Sequence, residues 1–252
     1  MSQLHTADRA LQMLQAFSSE LPTMTVGRLA TVLGVHKSTA SRLAATLSQR
    51  GFLERDAKTN ELRLGPELGR LGLLVVGGGV DLVAIARACM GDLAGQTGET
   101  VNIAVLDSAG TEVTNIAQVD GPHIVGIGQW TGRRTPVHPT ANGKVLLAYR
   151  TDGIPTDLSL EAYTKRTISD RAVLEAQLAQ IRNDGCVTVL GEFEDGLHAV
   201  SAPVFDSQGC RAALSVSGPS YRLTVERLPQ LTELCRRAAR DLSQRLGGSD
   251  GR

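Results

Sequence analysis

Lys37, Ser38, Thr39, Ser41 and Arg42 fall within six residues of one another, all on the polar side of a segment whose other side is apolar. Hydroxyls, an ammonium and a guanidinium crowded at the start of a helix suit the major groove of DNA. Serine and threonine reach phosphates, and Lys and Arg contact phosphates or guanine edges. Arg55 and Lys58, with Thr59 and Asn60, form a second polar group fifteen or so residues on, placed to lie beside the phosphate backbone or in the minor groove.

Other residue groups in the chain could do chemistry, and most fail on spacing. Pro139 to Lys144 ends in Gly-Lys like a phosphate loop, but position 138 is His where the loop needs Gly, and Val145 stands where a magnesium-binding hydroxyl is required. Gly126 to Gly132 has one residue too many for a dinucleotide fingerprint, and no clear helix follows it, so it reads as a glycine-rich turn shaping a cavity. Ser215 and Ser217 alternate along one strand, so both face one side of a sheet while Leu214 and Val216 face the other. They suit either paired hydrogen bonding to a carboxylate or the plain role of small polar residues beneath a helix. No nucleophile elbow surrounds them and no His and acid complete a triad, so no catalytic residue is expected. His123, His138 and His198 lack ligand spacing and read as structural, and no metal site or cofactor is expected. Glu192, Glu194 and Asp195 read as a solvated acidic loop, with a place at the border of a pocket as the alternative.

The elements that must position these groups are legible from periodicity. Ala40, Leu43, Ala44 and Leu47 make the apolar stripe of a helix behind Lys37 to Arg42, and Leu29, Ala30, Val32 and Leu33 make the stripe of the helix before it. Gly34 supplies the corner between them, with Val35 as a plug. Ala10, Leu11, Leu14 and Phe17 form a further amphipathic helix upstream. Downstream, Phe52 to Arg55 and Glu61 to Leu64 flank the turn Asp56 to Asn60 as a β-hairpin. Residues 1–65 thus read as a winged helix-turn-helix, and they hold eight Lys or Arg against five Asp or Glu.

Pro66 then opens a linker helix over 66–80, in which Leu68, Leu71, Leu74 and Val75 repeat until three glycines interrupt, and Asp81 caps the next helix. From there to residue 248, strands are expected at Val101 to Leu106, Glu112 to Val119, Gly185 to Leu190, Ala199 to Phe205 and Ala212 to Ser217. Helices are expected at Lys144 to Arg150, Arg171 to Asp184 and Val225 to Leu246. That order suggests a mixed sheet covered by helices.

Composition agrees with two cores: 252 residues, 42% hydrophobic, 3% aromatic and zero formal net charge. The neutral total argues against a whole-surface nucleic-acid binder and for a local one. Cys89, Cys186, Cys210 and Cys235 form no Cys-x-x-Cys pair, which fits reduced core thiols in a cytoplasmic protein. The longest apolar stretch, Leu71 to Val80, is glycine-rich and short of the ~18 residues of a membrane span, so no membrane partner is expected.

Leu33 to Leu43, Arg50 to Arg55 and Leu62 to Pro66 resemble the isocitrate lyase regulator (IclR) family of bacterial transcription factors. The likeness continues through Thr97 to Leu106, Pro136 to Ala148, Ala202 to Asp206 and Ala213 to Pro219. The resemblance implies an α+β chain of two domains: a winged helix-turn-helix, a linker helix and a GAF-like α/β effector-binding domain. It also implies an effector pocket with Ile124 and Ile127 as apolar wall, Ala141 and Asn142 on the turn before the Lys144 helix, Ala199 on a strand, and Ser215 and Ser217 as polar contacts. The amides of Asn142 and Gly143 would then favour an anionic group. Two departures stand out, the polar Asn142 among small residues and His36 where serine is the better helix cap. The implied protein is an effector-responsive regulator, a repressor by expectation, that binds a palindromic double-stranded DNA operator as a homodimer or homotetramer, with a small organic acid or aromatic metabolite as ligand. The alternatives are a constitutive DNA binder with a degenerate pocket and an enzyme with a DNA-localising head.

Overall fold

The computed structural model describes residues 4–18, 21–77 and 82–248. The chain divides into two compact units, Met1–Val80 and Asp81–Arg252.

In the first unit, α1 (His5–Gln15), α2 (Val26–Val32) and α3 (Lys37–Gln49) pack around Met13, Leu29, Ala40, Leu43, Ala44, Leu53 and Leu62. Two expected core residues are exposed, Leu11 and Val32. Each lies about 110° around its helix from the centre of the stripe its neighbours form, at 100° per residue, so it points past the core. Thr25 caps α2 by accepting from Arg28 N at 3.2 Å. Gly34 adopts φ +61° at the corner, a conformation that side chains other than glycine resist. The expected hairpin forms as β2 (Leu53–Arg55) and β3 (Leu62–Leu64), and a short strand not anticipated, β1 (Thr23–Met24), joins it in the order β1-β3-β2. Pro66 opens α4 (Pro66–Gly77). The side chains of Leu74 and Val75, and the expected N-cap Asp81, lie outside the described residues.

The second unit begins with α5 (Leu82–Thr97), followed by β4 (Thr100–Leu106), β5 (Glu112–Val119) and β6 (Arg134–Pro136). Then come α6 (Ala141–Ala148), α7 (Arg171–Asp184), β7 (Val187–Leu190), β8 (Leu197–Asp206), β9 (Gly209–Pro219) and α8 (Leu228–Arg245). The six strands run in the order β6-β5-β4-β9-β8-β7, and every pairing is antiparallel. The expectation of a mixed sheet is therefore corrected. The tight turns between β4 and β5 and between β8 and β9 make hairpins. The helical stretch α6–α7 carries the chain from one sheet edge, β6, to the other, β7, rather than making a parallel crossover.

Helices α5 and α8 cover one face, burying Val101, Ile103, Val200, Leu214 and Val216, while α6 and α7 cover the other, over Ala104, Val113, Val189 and Ala213. Ser215 and Ser217 share the face of Ala213, opposite to Leu214 and Val216, as alternation requires. Boundaries shift where local chemistry overrides periodicity. Gly185 is the left-handed C-cap of α7 and not part of a strand, and α6 starts three residues early because Thr140 caps it.

Candidate functional site

Two regions gather polar side chains that lack protein partners, one on each unit. On α3, Lys37, Ser38, Ser41 and Arg42 are exposed and Thr39 is half-buried. Lys37, Ser41 and Arg42 make no side-chain hydrogen bond or ion pair among the described residues. His36 is an N-cap despite its type: its Nδ1 accepts from Ser38 N at 3.4 Å and lies 3.0 Å from Ser38 Oγ. In the wing, Arg55 is engaged, its Nη1 donating to Asn60 Oδ1 at 2.9 Å and to Asn60 O at 3.2 Å. This bond braces Asn60 at φ +60°. Asp56 accepts from the amides of Lys58 and Thr59, both at 2.8 Å, and those bonds hold its carboxyl below the ordinary 3.8. The Lys58 side chain stays exposed at the turn, while Arg63 is paired with Glu54 at 2.8 Å.

In the second unit a cavity of about 70 Å³ lies between the sheet and the start of α6. Ile127, Ala141, Asn142, Ala199, Ser215 and Ser217 all line it. Ile124 does not: it is fully exposed and borders a separate depression with Glu99 and Arg222. Trp130, six residues on, lines the cavity wall. Trp130 N donates to Gln118 Oε1 at 2.9 Å, and Trp130 Nε1 donates to Ile127 O at 2.6 Å. Phe193 meets Trp130 edge-on with centroids 6.0 Å apart, which gives the cavity an aromatic side.

The first turn of α6 is less open to an anion than expected. Gly143 N donates to Thr140 Oγ1 at 3.3 Å, leaving the amides of Ala141 and Asn142 as the first-turn donors without an intrahelical acceptor. Gly143 must be glycine for another reason, since a Cβ there would come within 2.2 Å of Val137 O. The Asn142 side chain is tied to the sheet through Ser201, whose hydroxyl hydrogen is shared between Asn142 Oδ1 at 2.8 Å and Leu214 O at 3.0 Å.

Asn102, Asn115, Thr135, Ser215 and Ser217 are each 8% exposed or less, all line the cavity, and none makes a side-chain hydrogen bond among the described residues. Asn102, Asn115, Thr135 and Phe193 are not among the expected pocket residues, and Trp130 is anticipated only as part of the cavity-shaping turn Gly126 to Gly132. Trp130 also carries a signal of rarity, as the only tryptophan in an aromatic-poor chain.

The acidic loop is also corrected. Glu194 and Asp195 are exposed, but Glu192 is buried against Lys144, whose Nζ donates to both carboxylate oxygens at 2.6 Å. Lys144 is fully buried on α6. Burial pulls its ammonium below the ordinary 10.5, and Glu192 opposes that shift. Thr164 Oγ1 donates to Gly191 O at 2.7 Å and Thr167 Oγ1 to Glu192 O at 2.6 Å, so the loop that carries Phe193 is clamped from two sides.

His138 and His198 each bond a backbone carbonyl, Glu161 O at 2.9 Å and Leu223 O at 2.8 Å. No group of three or more metal-binding side chains occurs among the described residues. The four cysteines are free, and burial pushes the Cys210 thiol up to about 12, away from reactivity. No helix among the described residues is long and apolar enough to cross a membrane.

These two regions have counterparts in known proteins. Residues 6–57 match the sequence model of the IclR helix-turn-helix domain, and residues 76–244 match that of the bacterial transcriptional regulator IclR C-terminal domain. The chain is 32% identical over 250 residues to the HTH-type transcriptional regulator XynR of Escherichia coli (strain K12), covering 97% of this chain and 98% of that one. It is 30% identical over 251 residues to the transcriptional repressor IclR of the same organism, covering 98% and 91%. Among solved structures, an IclR-type regulator from Silicibacter sp. superposes with a TM-score of 0.80 at 26% identity, covering 97% of both chains. An IclR homologue complexed with 4-hydroxybenzoate, from Microbacterium hydrocarbonoxydans, gives 0.78 at 25% identity, covering 96% of this chain and 98% of that one. With both units matched in order and relatives aligned along nearly their whole length, the chain belongs to the IclR family of bacterial transcriptional regulators, whose helix-turn-helix domains bind DNA and whose C-terminal domains bind small effectors.

Proposed function

We propose that this regulator reads a two-fold-symmetric operator with α3 and the wing of each copy in a homodimer or a dimer of dimers, and that a small organic acid bound in the cavity biases DNA binding. The observation that carries the ligand half is the convergence of five buried, unpartnered polar side chains on one cavity. Among them Asn102 Oδ1 is wholly buried without a partner, at a cost of about 1–3 kcal/mol, so the cluster is sustained by what enters the cavity. A cavity of about 70 Å³ suits a compact ligand and not a nucleotide. The free amides at the start of α6 and the hydroxyls of Ser215 and Ser217 favour a carboxylate there, and Trp130 with Phe193 offers a flat wall to a ring. The 4-hydroxybenzoate in the Microbacterium homologue supports an aromatic acid as the first class to try.

The test is a thermal-shift screen of small aliphatic and aromatic acids, repeated on Ser215→Ala and Ser217→Ala. Stabilisation of the wild type that both variants lose supports the reading through mass action. Equal stabilisation in all three proteins removes the serines from the site. Band-shift titration on a palindromic site, with and without the hit, then shows whether ligand alters DNA affinity.

A further inference from the structure

We infer that Asn102, together with Asn115 and Thr135, reads a hydroxyl group on the effector, so that the ligand is a hydroxylated small carboxylate and not a simple one. The inference rests on the cavity being the effector site. Along the sheet, Thr135 lies on β6, Asn115 on β5, Asn102 on β4 and the two serines on β9. From β9 to β5 is two strand spacings, about 10 Å. One compact functional group cannot serve both ends of that row.

The polar groups divide accordingly. The serines and the first turn of α6 are donors suited to a carboxylate. Asn102 is different: it is 4% exposed, its Oδ1 is buried without a partner, and it sits opposite Ser215 on β9 and Gln118 on β5. Gln118 cannot satisfy it, because its amide already donates to Asp120 Oδ1 and Gly128 O and accepts from Trp130 N. A buried carboxamide presents an acceptor and donors at once. An ionised carboxylate has only acceptors to offer, whereas a hydroxyl can meet either end of the amide. A site that leaves a buried amide unpaired when the hydroxyl is missing discriminates strongly against the analogue without it.

The experiment uses the full-length protein and Asn102→Leu, a change of similar size that removes the amide. Melting temperatures are measured without ligand, and affinities are measured by calorimetry for 4-hydroxybenzoate, 4-methylbenzoate, benzoate and phenol. The expected result is that wild type prefers 4-hydroxybenzoate to 4-methylbenzoate by about tenfold or more, that Asn102→Leu loses this preference while still binding the methyl analogue, and that the ligand-free variant melts higher than wild type because an unsatisfied amide has gone. An unchanged preference in Asn102→Leu, or a lower melting temperature in its ligand-free form, overturns the inference. Binding of phenol that Asn102→Leu loses, without binding of any acid, upholds hydroxyl reading by Asn102 and overturns the carboxylate of the proposed function. Lactate and propionate are measured beside them as the aliphatic pair, judged in the same way, and binding of none of the six overturns both.

Discussion

The α3 face and the effector-domain cavity are built from similar side chains under opposite conditions. Both present hydroxyls and other polar groups with no protein partner. On α3 those groups are in water, where being unpaired costs nothing, so their arrangement is free to follow the shape of a DNA groove. In the cavity the residues are nine-tenths buried or more, and Asn102 Oδ1 is enclosed without a partner, a penalty that the rest of the fold must offset. Function on the first surface is therefore cheap in stability, and function in the second region is coupled to it.

Four measurements would break or sharpen that contrast. The largest effect belongs to the buried pair beside the cavity. Lys144→Met leaves Glu192 charged and unpaired, and should lower stability by about 3–5 kcal/mol, read from the urea midpoint. Adding Glu192→Leu should restore most of that loss; a double variant as unstable as the single one would show that the pair is not what holds the Phe193 loop to α6.

Arg42→Ala lies at the other extreme of coupling. It should weaken operator binding by about 1–3 kcal/mol and leave the folding stability within roughly 0.5 kcal/mol of wild type. If Arg42 contacts a phosphate, the slope of log affinity against log salt also falls by about 0.9. A large loss of stability would mean that the exposed face is not independent of folding.

Thr140→Ala should cost about 1 kcal/mol, because Thr140 caps α6 and also donates to Pro136 O at 2.8 Å. The same change should weaken acid binding, since it loosens the turn that presents the Ala141 and Asn142 amides. Full ligand affinity in that variant would detach the cap from the site.

The smallest expected effect is a pH dependence from His138. Burial holds its folded-state pKa below the ordinary 6.5, so the unfolded chain takes up the proton first as pH falls. Its contribution to stability is complete above about 6.5 and is lost as pH drops toward the folded value. His138→Gln should flatten the acid side of the stability profile, and an unaltered profile would assign the acid sensitivity to other groups.

What could be read without coordinates divides along the same line. The helix-turn-helix was legible in detail because Ala40, Leu43, Ala44 and Gly34 are determined by neighbours within a few residues, and a helix that buries one stripe must expose Lys37 to Arg42. Even there, Leu11 and Val32 were misplaced, since stripe width depends on what packs opposite. Most of the effector-domain elements were legible too, by alternation and by Gly and Pro punctuation. The strand order was not, because pairing joins residues far apart in sequence, and the short strands β1 and β6 carry too few residues for a pattern.

The cavity was half legible. Ser215 and Ser217 announce a shared face by their spacing, but Asn102, Asn115 and Thr135 reach the same space only because three other strands bring them there. Glu192 looked like a solvated acid until α6 placed Lys144 against it across forty-eight positions of sequence. Local spacing determined the helices, the corner and the polar face of α3, since those depend on backbone geometry repeating every few residues. Tertiary structure alone decided which polar groups became buried, and so which of them await a ligand, because burial is set by the packing of distant segments and not by any residue's own neighbours.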